Sequence, residues 1–242
     1  MEAARSLSSI RRSLERRFDL AVRRYPIEGS RAAELRAVIG GMRLDGVVDV
    51  GGHEGGFTRF LRQDVGYKGH VVSFEPFPGA FEKLLEASSD DPSWHVHNSA
   101  VGSEQGAAEF FIYSNSFFNS FHRINALGCK RFSQVQPVSS IVSAVGRLDQ
   151  LYESSWGSRL FLKSDTQGND LGVIDGADGI MDLIYGVQLE AGIVPIYDDA
   201  PSLSDSVDRL ASLGFGACSF HPVSRHKNSR AVMEFDVVFV RL

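Results

Sequence analysis

The sequence predicts an α/β fold built from βαβ units around a mostly parallel sheet. Three observations predict it. Short apolar runs alternate with helical stretches of about ten residues, the pattern of parallel strands joined by crossover helices. One of these runs, 47–50, ends in a glycine-rich turn that opens a helix. The last two runs, 216–221 and 235–241, have no helix between them, so one of the two is expected to run antiparallel.

The bulk numbers frame this reading. The chain has 242 residues, 43% hydrophobic and 23% charged, which suits one sizeable core. No Pro/Gly/Ser-rich linker divides it, so one main domain over 46–242 is expected, with a helical extension over 1–45. A net charge of -5 argues against a protein devoted to nucleic acid. Cys129 and Cys218 form neither a CxxC pair nor a zinc pattern, and read as thiols in a reducing compartment. No signal peptide is apparent, and no run approaches the roughly 20 apolar residues of a membrane span. The expected location is cytoplasmic, without stable membrane insertion.

The extension is arginine-rich, and Leu7, Ile10, Leu14, Phe18, Ala21 and Tyr25 recur at helical steps. That stripe can pack on the domain or on a second subunit, giving a homodimer. The alternatives are a membrane-surface helix and a contact to an anionic substrate. Pro26 should end this helix, and Ser30 reads as the N-cap of a second one running to Met42. Strands follow at 47–50, 70–75, 95–101, 107–113, 138–145, 160–165 and 183–190, before the closing pair. Helices are expected at 56–63, 78–87, 170–177 and 202–213. The polar and aromatic stretch 114–136 reads as a loop and is where acceptor selectivity is expected.

Four segments carry candidate chemistry. In Asp49-Val50-Gly51-Gly52-His53-Glu54-Gly55-Gly56-Phe57, glycines admit a ligand close to the backbone, and the helix start offers free N–H groups. His53 stands where a GxGxxG fingerprint needs glycine, and no GKS or GKT follows, which excludes the dinucleotide motif and the P-loop. The turn therefore suits a nucleoside ligand without a pyrophosphate; the alternative is a tight connection with no ligand. Glu75 ends the next strand, where an acid is placed to accept both ribose hydroxyls. Pro76 rigidifies the turn after it and Phe77 is a candidate cover for the base. Asn98, Ser99 and Ala100 are candidates to border that base, with Asn98 equally suited to cap a turn. Finally, Lys163, Asp165 and Gln167 reach the carboxyl edge of one strand, and Gln188 and Glu190 that of the next. Carboxylates there can share a proton, act as a base or bind Mg²⁺.

These segments resemble the FkbM family of S-adenosylmethionine-dependent methyltransferases, over residues 47–241. The family's DVGAN-x-G-x-F is matched by residues 49–57, its FEPxP by Phe74-Glu75-Pro76-Phe77-Pro78, and its leucine-aspartate element by Leu148-Asp149. Its K-x-D-x-Q-G-x-E is close to residues 163–170, and Glu190 and Phe235 fall in its later strands. This chain departs from the family at Gly52 (usually Ala), His53 (usually Asn) and Asp170 (usually Glu).

The resemblance implies a Rossmann-like class I methyltransferase: a seven-stranded, mostly parallel sheet with helices on both faces and an antiparallel last strand. It implies S-adenosyl-L-methionine as cofactor, held by Asp49, Gly51, Gly52, His53, Gly55, Phe57, Glu75, Pro76, Phe77, Asn98, Ser99, Ala100 and Asp165. It also implies methyl transfer to oxygen, on a small acceptor such as a sugar or polyketide. Asp165, Glu190 and Lys163 are the catalytic candidates, with His122 and His221 as alternative bases and no resident metal expected. The competing expectations are a cofactor-binding protein without activity and a carboxylate methyltransferase.

Overall fold

The computed structural model describes residues 27–242. The arginine-rich stripe, with the dimer and membrane-surface readings attached to it, lies outside them. The first described helix, α1 (Arg31–Gly41), starts where expected: the Ser30 hydroxyl accepts the Ala33 N–H at 3.3 Å. It buries Leu35, Val38 and Ile39.

The main sheet takes up β1 (Gly46–Val50), β2 (His70–Phe74), β3 (Trp94–His97), β7 (Leu160–Ser164), β8 (Ile184–Gly192), β9 (Phe215–Arg225) and β10 (Val232–Arg241). Their order is β3-β2-β1-β7-β8-β10-β9. The first five are parallel, and β10 is antiparallel to both of its neighbours. The last strand is thus the reversed one. β1 and β7 are buried at every position, Asp49 of β1 and Lys163 and Ser164 of β7 included.

Two layers sandwich this sheet. On one face Leu162, Leu189, Val237 and Phe239 pack with Ile174 of α6 (Asp170–Asp175) and Leu210 of α7 (Leu203–Ser212). On the other, Val47, Val71, Phe161 and Val238 pack with Leu35 of α1, Phe57 of α2 (Gly56–Phe60) and Leu84 of α3 (Pro78–Ser88). Each fully buried Leu, Ile or Phe contributes about 1.5–3 kcal/mol. α2 runs on as a single π turn, Leu61–Val65, closed by Gly66 at φ 79°. Helix α7 opens with a capping box between Ser202 and Asp205.

One expected strand is two. The run 95–101 breaks at Asn98, whose amide donates to the carbonyls of Glu75 (2.9 Å) and Pro76 (3.3 Å). β3 stays in the main sheet, while β4 (Ala100–Val101) leaves it for a three-stranded sheet of order β4-β6-β5. There β5 (Gly106–Tyr113) and β6 (Pro137–Gly146) pair antiparallel. The connection between them is not featureless: it carries a 3₁₀ turn, Ser116–Phe118, and α4 (Ala126–Arg131), capped by the Asn125 side chain. A short helix, α5 (Leu148–Leu151), then leads to β7.

Candidate active site

The strand order reverses between β1 and β7, so the crevice beyond their carboxyl ends is where α/β sheets hold ligands. A cleft lies there. Gly51 forms its floor at φ 74°, and a Cβ on it would sit 1.9 Å from the Asp165 carbonyl oxygen. Only glycine permits that approach. The N–H groups of Gly51 and Gly52 both donate to the Phe74 carbonyl, at 3.0 and 2.9 Å, stitching the turn to the end of β2.

Glu75 emerges at that point and is almost fully buried, 5% exposed. One carboxylate oxygen accepts the His53 N–H at 2.8 Å, the other the Phe77 N–H at 2.9 Å. Burial nonetheless outweighs both donors and pushes its carboxyl up to about 7. Ala100, Val101 and Phe110 form an apolar wall of the same cleft.

Behind the floor lies a buried ion pair. The Lys163 ammonium is 3.0 Å from the Asp49 carboxylate and donates to the Gly51 carbonyl at 2.9 Å. The Ser73 hydroxyl donates to the other Asp49 oxygen at 3.1 Å. Burial alone would depress the lysine, but Asp49 and then Asp165 prevail and hold it above its ordinary value. Lys163 therefore serves to brace the glycine turn from below rather than to line the cleft.

Asp165 lines the cleft directly, and its carboxylate accepts the Gln167 side-chain amide at 2.8 Å. Gln167 in turn accepts the Tyr197 hydroxyl at 2.9 Å. One oxygen of Asp170, Oδ1, accepts locally from Ser164 (2.6 Å) and from the N–H and hydroxyl of Thr166 (both 3.1 Å). That oxygen thus acts as the brace of the 164–166 turn.

A sequence profile of the methyltransferase FkbM domain matches residues 49–216. The chain belongs to the FkbM methyltransferase family. S-adenosylmethionine is the cofactor of that family. Among solved structures, the FkbM methyltransferase of Methylobacillus flagellatus KT superposes with a TM-score of 0.51 at 16% identity, covering 81% of this chain and 43% of that one. The chain therefore spans under half the length of that relative. The magnesium protoporphyrin IX methyltransferase of Synechocystis PCC 6803, solved with bound SAM, gives a TM-score of 0.48 at 11% identity over 87% of this chain and 78% of that one. The first of these likenesses is of fold. No curated protein sequence matches significantly.

In this FkbM domain the expected site residues divide. Gly51, His53, Glu75, Pro76, Ala100 and Asp165 line the cleft. Gly52 and Gly55 face the protein interior instead: a Cβ would meet Ser73 Cβ at 3.1 Å in the first case and the Trp94 ring at 2.6 Å in the second. Phe57 is buried with the Lys163 ammonium and the Arg31 guanidinium each 5.6 Å from its ring centre. Phe77 and Ser99 are absent from the cleft walls, and Asn98 holds the Glu75 turn. Glu190 opens onto a second cavity, on the far side of Gln167. Burial and then the nearby Asp165 hold its carboxyl well above the ordinary range. Of the alternative bases, His122 borders a wide surface groove beside β5 and His221 lies on the edge strand β9. Among the described residues no cluster of three or more His, Cys, Asp or Glu side chains suits a metal ion, and both cysteines are free and exposed.

The remaining wall of the cleft comes from the β5–β6 insertion: Phe110, Ser116, Phe117, Asn119 and Phe121. The His53 imidazole sits 2.9 Å from the Ser116 hydroxyl and packs on Phe117 with ring centres 4.4 Å apart. His53 itself holds a left-handed backbone at φ 47°. The aromatic bias of 114–136 was the sequence signal for this wall, but no spacing rule points it at His53.

Proposed function

We propose that this chain is an S-adenosylmethionine-dependent methyltransferase that methylates a hydroxyl of a small acceptor, such as a sugar or secondary metabolite. The observation that supports it is the buried Glu75 carboxylate at the end of β2. Each of its oxygens accepts one backbone N–H, the residue lines the cleft, and a carboxylate oxygen can accept more than one hydrogen bond. Two fixed acceptors on one carboxylate suit the paired hydroxyls of a ribose. Ala100, Val101 and Phe110 would take the purine, and the close-packed Gly51 turn the amino-acid end.

When bound, the cofactor supplies an electrophilic methyl group on a sulfonium centre. The chain's own task is then alignment and removal of one proton. Alignment comes from the rigid floor, where Lys163 and Asp49 brace the turn. Asp165, oriented by Gln167, is the carboxylate in the cleft that can accept the acceptor's proton. Binding of S-adenosylmethionine and S-adenosylhomocysteine by calorimetry tests the first half; no heat and no thermal shift at saturation would sink it. Incubation with methyl-labelled cofactor and a metabolite extract tests the second. An alkali-stable label is expected from an ether; an alkali-labile one would mean a carboxyl ester.

A further inference from the structure

The three-stranded sheet leaves its central strand half covered. β6 pairs with β5 along 137–145, but β4 meets the other edge of β6 only at Val145 and Gly146. Among the described residues no strand pairs with that edge along 138–144. Val138 and Val142 are 64% and 78% exposed there. The N–H and C=O groups of an open edge are a template for another strand.

No charge guards this edge. Residues 132–146 hold no charged side chain, in a chain that is 23% charged. Val138, Ile141, Val142 and Val145 are β-branched and suit pairing. The nearest acid across the sheet, Glu109, stands opposite Val142 on β5 and accepts the Ser140 hydroxyl at 2.7 Å. Pro137, which has no N–H, closes the open stretch at its start, and the register with β5 slips only there.

The edge also matches itself. Alternation along 138–142 puts Val138, Ser140 and Val142 on one face. A second copy laid antiparallel about a twofold at Ser140 sets each Val138 against the other copy's Val142, and Ser140 against Ser140. A twofold contact requires such self-matching. A charged partner would find no opposite charge here. The five residues fit between Pro137 and the β4 contact at Val145.

We propose that the open edge of β6 is a self-association surface, on which a second copy of this chain adds its own β6 antiparallel, centred on Ser140. The result is one continuous sheet across the dimer, in the order β5-β6-β6-β5. On β5, Phe110 stands opposite Ile141 and forms part of the cleft wall. Pairing at β6 therefore steadies the inserted wall of both clefts.

Light scattering of the full chain should show a dimer, twice the 26.6 kDa of one copy. Val142→Lys, at a position exposed in the single copy, should keep the circular dichroism of the fold and raise the self-association Kd about tenfold or more. A register test starts from a chain with the free, exposed Cys129 and Cys218 replaced by serine. In it, Ser140→Cys should form an intermolecular disulfide under copper–phenanthroline oxidation, since opposed residues bring their Cα atoms to about 4.5–5.5 Å. Val138→Cys alone should not, because a four-residue offset separates its two copies by about 13 Å. Val138→Cys combined with Val142→Cys should. A monomeric wild type would overturn the proposal. So would a dimer that Val142→Lys leaves intact, a Ser140→Cys chain that stays uncrosslinked, or a Val138→Cys chain that crosslinks as fully as Ser140→Cys.

Discussion

The two halves of the site are built differently. On the β1–β2 side, the glycine turn, Glu75 and Asn98 are joined mostly through backbone groups within some 50 residues of chain. Where the β5–β6 insertion and the β7–β8 side meet the cleft, contacts run between distant segments: Ser120 with Gln167, Tyr197 with Gln167, His53 with Ser116. A site wall fixed by backbone geometry tolerates few substitutions, because its ligand-facing groups are part of the fold. A wall assembled from side chains of an insertion can be changed piece by piece. On the proposed function, cofactor binding draws on the first kind of wall and choice of acceptor on the second.

That contrast can be broken most severely at the ion pair under the floor. Lys163→Met should strand the Asp49 carboxylate and destabilise the protein by about 3–5 kcal/mol in chemical denaturation. Lys163→Met with Asp49→Leu should regain much of that loss. A single-variant loss under about 1 kcal/mol would show that the pair is not the brace.

Next comes Glu75. A charge-assisted hydrogen bond contributes about 1.5–3 kcal/mol, so Glu75→Ala should weaken S-adenosylhomocysteine by roughly 100-fold or more. Its pH dependence has a definite sign. The folded carboxyl, at about 7, lies above its ordinary value, so its ionisation disfavours the cofactor-free fold as pH rises from the ordinary range through about 7. Ligand hydroxyls favour the ionised form. Cofactor affinity should therefore rise between about pH 6 and 8, and Glu75→Gln should flatten that rise. A flat wild-type profile by calorimetry would contradict the assignment.

Gly51→Ala tests the backbone itself. The left-handed φ alone costs a side chain about 1–3 kcal/mol, and the overlap with the Asp165 carbonyl adds to it. Thermal melts should show that loss, together with weakened cofactor binding. The smallest effect is expected on the insertion side. His53→Asn keeps the N–H that holds Glu75 and loses only the imidazole contacts to Ser116 and Phe117. Equilibrium affinity should change by less than about 1 kcal/mol, and Ser116→Ala should act similarly. A loss as large as that of Glu75→Ala would erase the distinction between the two walls.

Much of the fold was legible because its signals are local. Strand–helix alternation marked the parallel strands, Ser30 and Ser202 marked two helix starts, and the missing helix near the end marked a reversed strand. Pattern failed at 95–101, where one extended segment was expected but the chain breaks at Asn98, held to the Glu75 carbonyl, and passes to a second sheet. Within the site, Gly51, Glu75 and Asp165 were readable as residues at strand ends. Gly55 and Phe57 carry the same motif for a different reason, since they pack against Trp94 and Lys163.

The sequence by itself determined the sheet, the glycine turn and the acid that follows the second strand, because each depends on neighbours a few residues away. Only the tertiary structure decided that Lys163 lies beneath the floor, that Asp165 and Glu190 face different chambers, and that His53 meets Ser116. Those arrangements depend on which distant segments pack together, and burial then sets the protonation of Glu75 and Glu190 in ways that no local pattern encodes.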